Sequence, residues 1–308
     1  MKNQNYNIWG NGSKNEHVIP KTIWTFWDSP TESPLVEICF EQIRRILPDY
    51  TFNIITKTNA NQFLENLPQL RTDISFINYT DLIRLGLLEK YGGIWMDASV
   101  LLTEDLDWLY QLKSRFNPDF IGFSADFFSN DEKYPLIETW FLASNPNNIF
   151  IKNWSQEFHK CYTSPHPHQY FDLEKKTIPN FCQKIDEALS SYLIAYLAAT
   201  KIMRDNDNYR LLLIPSSTTA HYYNFLEKTA PHRLKNYFLA NRKIKYWNLI
   251  KFERKGRNAL DEDLLNGLYI KKSVLYQITE NKKYLRKNPL IFFRYIKFIA
   301  KNLIDKVK

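Results

Sequence analysis

Three charged residues between positions 81 and 97 are spaced so that they could act together on a polar ligand. Asp81 and Arg84 lie three positions apart in the apolar segment Asn78–Lys90, which is predicted to be a helix, so the two side chains share one face near its start. A carboxylate accepts hydrogen bonds from hydroxyl groups, and a guanidinium donates to hydroxyl or phosphate oxygens. The pair could therefore grip a polar ligand, or it could be a surface ion pair worth roughly a few tenths of a kcal/mol.

The third residue, Asp97, follows the short apolar run Ile94–Met96, which is predicted to be a buried strand. A carboxylate at a strand end can hold a divalent cation, and such a cation can neutralise the charge that builds on a departing diphosphate. Gly92 and Gly93 allow a tight turn from the helix into the strand, so the helix and the carboxylate stay together. The alternative is an aspartate that only forms a turn.

The surrounding elements alternate between strands and helices, which is typical of an α/β layer architecture. Apolar and β-branched runs predict strands at 18–27, 51–55, 94–96, 119–124, 137–144 and 210–214. The run 100–102 is predicted to continue the strand that ends at Met96. Helical spacing predicts helices at 35–47, 78–90, 148–162 and 185–203.

Cysteine usage and the N-terminal sequence predict a cytoplasmic protein. The chain of 308 residues has only three cysteines, Cys39, Cys161 and Cys182, without a CxxC spacing. This pattern argues against a disulfide framework and against a structural zinc site. The polar N-terminus lacks the apolar run of a signal peptide, and no apolar stretch of about 18 residues predicts a membrane-spanning helix.

The net charge of +8 is concentrated at one end of the chain. Residues 282–308 contain nine Lys or Arg against the single acid Asp305, which leaves 32 basic and 32 acidic residues in positions 1–281. Because most of the chain is neutral and carries neither an RNA-binding aromatic motif nor zinc-finger spacing, no nucleic-acid partner is expected.

The basic C-terminal end itself, residues 289–308, predicts an amphipathic helix. It begins with a proline and continues with apolar residues interleaved with lysines. Such a helix can lie on an anionic membrane surface. The alternative is a helix that packs on the domain and leaves its lysines in solvent.

The segment YTDLIRLGLLEKYGGIWMDASVLL, residues 79–102, resembles the signature of capsular polysaccharide synthesis glycosyltransferases. These belong to a wider group with fungal Golgi mannosyltransferases and clostridial toxin glucosyltransferases. Further matches follow in order at Ile19–Pro30, Pro48–Tyr50 and Ile137–Asn148. The resemblance implies an α/β fold of the GT-A type, with one Rossmann-like domain, a mixed central sheet and a helical C-terminal extension. The expected division is a polar arm at 1–17, the GT-A domain at 18–235 and the basic helical region at 236–308.

The same resemblance implies roles for the residues that bind the donor. Asp81 and Arg84 fall where relatives bind the hydroxyl groups of the donor sugar. Trp27 falls where relatives stack an aromatic ring on the nucleobase, and the alternative is a tryptophan in the core. Asp97 matches the first aspartate of the DxD motif. Ser99 stands at the second aspartate, usually the direct metal ligand, and serine is a poor cation ligand compared with a carboxylate.

A divalent cation, Mn²⁺ or Mg²⁺, is a further implication of the resemblance. It would be held by Asp97, the diphosphate, water and one group from the C-terminal half, for which His221 is the candidate. The alternative is a histidine at the surface or packed against aromatic residues. Glu138 and Trp140 are expected on the acceptor side. Glu138 could orient an acceptor hydroxyl or stabilise positive charge at the anomeric carbon, so it is also a candidate catalytic residue, although a buried structural glutamate fits the sequence equally well.

The expected function is transfer of a hexose, with retention of configuration, from a UDP-sugar rather than a GDP-sugar. The expected acceptor is a capsular or other cell-surface glycan, or a lipid-linked oligosaccharide at the inner face of the cell membrane. One alternative is a toxin-like protein glycosyltransferase. Another is a non-catalytic sugar-binding or membrane-scaffold protein, which the incomplete DxD motif would suit.

Overall fold

The structure is a computed structural model. It describes residues 6–14, 16–128, 131, 133–177, 193–226, 231–241, 247–280, 282–284 and 288–307. The chain forms two units, each drawn from three segments. The first unit consists of Met1–Asp28, Asp49–Asp97 and Asp107–Ser217, and the second of Ser29–Pro48, Ala98–Leu106 and Thr218–Lys308. The predicted domains, 1–17, 18–235 and 236–308, are instead consecutive segments of the chain. That division stays a prediction.

The elements within the described residues are short strands and longer helices. The strands are β1 (Asn7–Trp9), β2 (Thr22–Phe26), β3 (Thr51–Ile55), β4 (Gly93–Met96), β5 (Val100–Leu102), β6 (Phe120–Ser124), β7 (Ile137–Ser144), β8 (Leu211–Pro215) and β9 (Leu249–Lys251). The helices are α1 (Pro34–Ile46), α2 (Ala60–Phe63), α3 (Phe76–Tyr91), α4 (Asp107–Phe116), α5 (Ile149–Thr163), α6 (Pro167–Thr177), α7 (Ile194–Asp205), α8 (Tyr222–Leu226), α9 (Pro231–Ala240), α10 (Arg254–Leu265), α11 (Val274–Thr279) and α12 (Leu290–Val307).

The first unit is built on a mixed seven-stranded sheet with the order β1-β8-β6-β7-β4-β2-β3. Strands β2, β3 and β4 are parallel to one another, β6 is parallel to β8, and β7 runs antiparallel between β4 and β6. The carboxyl ends of β2, β3, β4, β6 and β8 therefore meet at one edge, together with the amino end of β7. We call this the carboxyl edge of the sheet. The predicted α/β fold with a mixed central sheet is confirmed.

Helix α3 supports this sheet and is buried over most of its circumference. Ser75 caps its first turn by accepting a hydrogen bond from the Ile77 N–H group. The helix packs with α5 and α7 and contacts strands β2, β4 and β7. The burial of its residues from Asn78 to Leu85 explains why polar side chains in that stretch must find partners inside the protein.

The connection from α3 into β4 depends on two glycines, as predicted. Gly92 has φ of 63° and Gly93 has φ of 96°, conformations that residues with a Cβ rarely adopt. A Cβ on Gly92 would lie 2.4 Å from the Pro146 nitrogen, so there is also no room for a side chain. The turn therefore brings the end of α3 directly into the strand that precedes Asp97.

Two predicted boundaries changed in the structure. Val100–Leu102 does not continue β4: it forms β5, which pairs antiparallel with β9 in a separate two-stranded sheet, because the chain turns at residues 98 and 99. That prediction was wrong. In addition, Asn7–Trp9, inside the predicted polar arm, forms β1 and pairs with β8, where Trp9 is buried. Residues 185–192 of the helix predicted at 185–203 lie outside the described residues.

The second unit has its own apolar core around the β5–β9 ladder. Helix α1 packs on β5 and α10, and α9 packs on α10, α11 and α12. The core residues include Cys39, Leu101, Phe238, Ile250 and Leu275. Among the described residues, no helix combines the length and the apolar character needed to cross a bilayer.

Candidate functional site

Asp97 lies at the carboxyl edge of the sheet, immediately after β4. Its backbone N–H group donates to the Trp140 carbonyl at 2.9 Å and so extends the pairing between β4 and β7 by one residue. Its side chain is 29 % exposed. The backbone is therefore fixed by the sheet while the carboxylate stays partly open to solvent, which is the arrangement that the strand-end prediction anticipated.

A buried guanidinium stands behind this carboxylate. Arg84 Nε lies 3.1 Å from Asp81 Oδ1, and Arg84 Nη2 lies 3.7 Å from Asp97 Oδ1. The same guanidinium donates to the Thr80 hydroxyl at 3.3 Å and to the Thr139 carbonyl. Arg84 therefore joins α3 to the amino end of β7 and places a positive charge beside Asp97.

Trp95 contacts both the Arg84 guanidinium and the Asp97 carboxylate. The Arg84 guanidinium lies over its ring, with Cζ 4.9 Å from the ring centroid. Its indole N–H donates to Asp97 Oδ1 at 3.1 Å. Because Trp95 and Asp97 are two residues apart along an extended segment, their side chains point to the same side of the sheet. The Asp97 carboxylate is thus oriented by one cation and one N–H donor.

Asp81 and Arg84 are much less accessible than Asp97. Their residues are 1 % and 4 % exposed, and their polar atoms face each other and the protein interior. Burial raises the pKa of Asp81 to about 6; the nearby Asp97 charge adds to this rise, while Arg84 opposes it. The direct binding of donor-sugar hydroxyls by Asp81 and Arg84 stays a prediction, and the structure brings both residues to Asp97.

Glu138 also lies at the carboxyl edge, because the amino end of β7 extends past the end of β4 and pairs with the carboxyl end of β6. Its side chain is buried, and its carboxylate accepts hydrogen bonds from the Tyr196 hydroxyl at 2.6 Å and the Ser216 hydroxyl at 3.5 Å. Tyr196 comes from α7, and Ser216 follows the carboxyl end of β8. Hydroxyl groups from two distant segments therefore orient this carboxylate.

The two predicted tryptophans have different environments. Trp140 is buried among aromatic rings, with its centroid 4.5 Å from that of Phe123 and 6.2 Å from that of Phe141. The role assigned to it on the acceptor side stays a prediction. Trp27 follows β2 at the carboxyl edge, is half-buried, and donates its backbone N–H group to the Ile55 carbonyl at 2.9 Å.

Ser99 belongs to the second unit, at the end of the β5–β9 ladder. Its hydroxyl donates to the Phe252 carbonyl at 2.8 Å and accepts from the Lys251 ammonium at 3.1 Å. The Phe252 N–H group donates to the Ser99 carbonyl at 3.0 Å. The position that would complete a DxD motif thus carries a hydroxyl that is hydrogen-bonded to a cation.

His221 lies in the second unit too, buried beside the same ladder. The Lys251 N–H group donates to the carbonyl of Ala220, the residue before His221, at 3.0 Å, and the Asn224 amide donates to the Lys251 carbonyl at 3.1 Å. The structure therefore places His221 beside the β5–β9 ladder, at whose end Ser99 lies. Asp97 is part of the first unit, so the metal site predicted to join Asp97 and His221 stays a prediction.

The donor set does not suit Mn²⁺ or Mg²⁺. In the part of the chain that the structure describes, no group of three or more His, Cys, Asp or Glu could hold a metal ion. Divalent cations of this kind prefer several oxygen ligands, with carboxylates among them. Asp97 has the Arg84 guanidinium beside it, and Ser99 has the Lys251 ammonium, so both motif positions already face a positive charge.

Sequence reasoning missed several residues that shape the site. Trp95 could have been found, because it stands two positions before Asp97 on the same strand. Tyr196 and Ser216 are 58 and 78 positions from Glu138, and Lys251 is 152 positions from Ser99. No local pattern relates residues so far apart, since the folding of distant strands and helices brings them together.

The sequence of this chain matches one protein-family model and is similar to curated glycosyltransferases. The family model described as capsular polysaccharide synthesis protein matches residues 3–251. The O-glycosyltransferase braB of Annulohypoxylon truncatum is 28 % identical over 192 residues, which are 54 % of this chain and 44 % of that protein. The glycosyltransferase afumC of Aspergillus fumigatus is 28 % identical over 162 residues, 45 % of this chain and 39 % of that protein. The chain thus spans less than half the length of these curated relatives.

Solved structures are more distantly similar. The ligand-free glycosyltransferase domain of the YGT toxin is 9 % identical, with a TM-score of 0.38 over 93 % of this chain and 95 % of that one. The family model matches much more of the sequence: it extends over most of the chain and includes both Asp97 and Ser99. The chain therefore belongs to the capsular polysaccharide synthesis protein family.

Proposed function

We propose that this protein is a GT-A-type glycosyltransferase that transfers a hexose from a nucleoside diphosphate sugar to a glycan acceptor. The observation that carries the proposal is Asp97, a partly exposed carboxylate fixed at the carboxyl edge of the sheet and flanked by the buried Arg84. Ligands of open α/β sheets bind outside the carboxyl ends of the strands. Family membership and the names of the two curated relatives support the same reaction class.

In the proposed reaction, the bond between the anomeric carbon and the diphosphate oxygen breaks, and its electron pair leaves with the diphosphate. An acceptor hydroxyl oxygen forms the new bond to the anomeric carbon on the same face, which retains the configuration. The hydroxyl proton passes to an oxygen of the departing diphosphate. Asp97 accepts a hydrogen bond from a donor hydroxyl, and Arg84 and Trp95 hold its carboxylate in place.

Glu138 is proposed to act on the acceptor side of the reaction. Its carboxyl oxygens are oriented by Tyr196 and Ser216, so they have fixed places at the edge of the sheet where Asp97 also lies. An ionised carboxylate at this place would orient an acceptor hydroxyl or stabilise the positive charge that develops at the anomeric carbon. Mn²⁺ and Mg²⁺ have no part in the proposed steps, because the residues at the DxD positions do not suit them.

The proposed donor is a UDP-sugar and the proposed acceptor a capsular or other cell-surface glycan. The description of the family supports the acceptor class. The test is a panel of UDP- and GDP-sugars incubated with the full chain, with release of the nucleoside diphosphate measured by chromatography. Release from one donor and not the others supports the proposal, and transfer to a protein would favour the toxin-like alternative. Absence of release from every donor would favour a non-catalytic sugar-binding protein.

We further propose that α12 contacts an anionic membrane surface, where a lipid-linked acceptor would be presented. Phe292, Phe293 and Ile296 are exposed, and Phe293 is 66 % exposed. Arg294, on the other side of the helix, is held by Asp263 and by the Leu268 carbonyl. The apolar residues thus face away from the contacts that anchor the helix.

The charge of this region complements anionic lipid. Residues 282–308 carry nine basic residues against one acid, and Lys297 is exposed next to the apolar side chains. A helix with an apolar face and flanking lysines binds by burying its apolar side chains below the headgroups while the lysines contact the anionic lipids. This arrangement fits a peripheral position at the inner face of the cell membrane.

A further inference from the structure

The hydroxyl of Ser99 has two hydrogen-bond partners within the second unit. It donates its proton to the Phe252 carbonyl at 2.8 Å and accepts from the Lys251 ammonium at 3.1 Å. The arrangement follows from the β5–β9 ladder, in which Val100 is opposite Lys251 and the Ser99 carbonyl accepts from the Phe252 N–H group. The lysine is therefore placed against Ser99 by strand register rather than by a chance surface contact.

The ammonium disfavours a divalent cation at this oxygen. Mg²⁺ binds its oxygen ligands at about 2.0–2.1 Å and needs a lone pair directed at the metal. One Ser99 lone pair already accepts from the ammonium, and a second positive charge on the same oxygen would be repelled by it. An anion near Ser99 would instead be attracted by the Lys251 ammonium.

We propose that the Lys251 ammonium, in the second unit, binds the diphosphate group of a nucleoside diphosphate without the help of a divalent cation. The inference rests on the proposed function and assigns a diphosphate-binding group within the second unit. Lysine suits this role because its ammonium has three donors and binds phosphate as a point charge. Binding of a diphosphate at Lys251 then requires no divalent cation.

The position of Lys251 is well defined by its own backbone. Its N–H group donates to the Ala220 carbonyl at 3.0 Å, and its carbonyl accepts from the Asn224 amide at 3.1 Å. The side chain is half-buried. Because the backbone is held on both sides and the stem is partly packed, an anion that binds here meets an oriented charge, which lowers the entropic cost of the contact.

The test is isothermal titration of the full chain with UDP and with inorganic pyrophosphate, in EDTA and in Mn²⁺. Both probes should bind in EDTA, and Mn²⁺ should change the dissociation constant by less than about threefold, because no cation site is needed. Lys251→Met should weaken binding of both probes by about tenfold or more, while Lys251→Arg keeps most of the affinity. The matched control is Lys271→Met, an exposed lysine of the same unit that lies outside the ladder, which should bind like the wild type.

A second variant tests the same idea without removing the lysine. Ser99→Asp places a carboxylate beside the ammonium, so it should weaken UDP binding in EDTA and make the binding respond to Mn²⁺. Each variant is first compared with the wild type by thermal unfolding. If Lys251→Met unfolds, the Ser99→Asp result decides the question.

The outcomes separate this inference from the proposed function. If UDP binds the wild type only in Mn²⁺, or if Lys251→Met binds as the wild type does, Lys251 does not bind the diphosphate without a divalent cation, although the donor-binding function stands. If neither probe binds in any condition, the donor part of the proposed function fails and the role of Lys251 fails with it. A Ser99→Asp variant that binds UDP normally in EDTA would also overturn the inference.

Discussion

At the scale of single residues, the candidate site depends on a carboxylate whose charge is balanced from inside the protein. Arg84 and Trp95 both contact Asp97 Oδ1, Arg84 from the first half of α3 and Trp95 from β4, which ends at the carboxyl edge of the sheet. A ligand hydroxyl that approaches Asp97 from solvent therefore meets an oriented acceptor. This is the feature on which the proposed donor binding rests, and it can be removed with almost no change of shape.

Asp97→Asn is expected to reduce donor turnover by about 100-fold or more, because the amide lacks the negative charge that a donor hydroxyl would contact. The measurement is release of nucleoside diphosphate from the active donor, with thermal unfolding of the same sample. The control is Asp172→Asn, which makes the same chemical change at an exposed position on α6. Equal turnover in wild type and Asp97→Asn would remove Asp97 from the mechanism.

Asp81 predicts a pH dependence of stability. Burial raises its pKa from 3.8 to about 6, so the folded state binds the proton more tightly than the unfolded chain does. The contribution of the protonated Asp81 carboxyl to the free energy of unfolding is fully present below about pH 4, and it is lost as the pH rises towards 6. The wild type should therefore lose stability relative to Asp81→Asn between pH 4 and pH 6. Urea unfolding at a series of pH values measures this, and parallel stability curves for the two proteins would contradict it.

At the scale of elements, the turn from α3 into β4 is the feature that places Asp97. Gly92 combines φ of 63° with ψ of −158°, a region that is essentially restricted to glycine. The helix end and the strand start are separated by this residue alone, so a change in its backbone would shift both. Gly86, in the middle of α3, offers a contrast, because a Cβ there would approach only the flexible Leu64 side chain, at 3.2 Å.

Gly92→Ala should lower the free energy of unfolding by ~1–3 kcal/mol from backbone strain, with a further loss from the contact to Pro146. Gly86→Ala is the matched control and should cost much less, because alanine favours the helix interior by about 1 kcal/mol. Chemical denaturation of both variants checks the difference. Equal losses for the two substitutions would show that the turn has no special requirement for glycine.

At the scale of the whole molecule, charge and apolar surface are distributed unevenly along the chain. The excess of positive charge lies in residues 282–308, and α12 exposes Phe292, Phe293 and Ile296 there. Such residues would normally be buried, since their exposure to water is unfavourable. The membrane surface that we propose for α12 would remove them from water without any rearrangement of the core of the second unit.

Replacing Phe292, Phe293 and Ile296 by serine should abolish sedimentation with vesicles that contain anionic lipid while preserving donor turnover. The reason is that these side chains are exposed, so their replacement removes the membrane contact without opening the core. Leu173→Ser, at an exposed leucine on α6, is the control and should sediment like the wild type. Sedimentation of the triple variant at the wild-type level would rule out α12 as the membrane contact.

The sequence predicted the main strands and helices well where periodicity is strong. Strands β3 and β7 begin and end at the predicted residues, and α3 includes the whole predicted segment Asn78–Lys90. Prediction from the sequence failed where the pairing partner of a strand decides which sheet the strand joins. Val100–Leu102 has the composition of a strand but pairs with β9, about 150 positions away, and no local pattern encodes that choice.

By itself the sequence determined the family, the α/β class, the turn at Gly92 and Gly93, and the placement of Asp97 at a strand end, because each depends on local composition and spacing. The tertiary structure decided how these residues are used. It buried Arg84 behind Asp97, joined Tyr196 and Ser216 to Glu138, and set Lys251 against Ser99. Those contacts arise from strand order and register, which bring together residues that are distant in the chain, and the charge environment of a site depends on them.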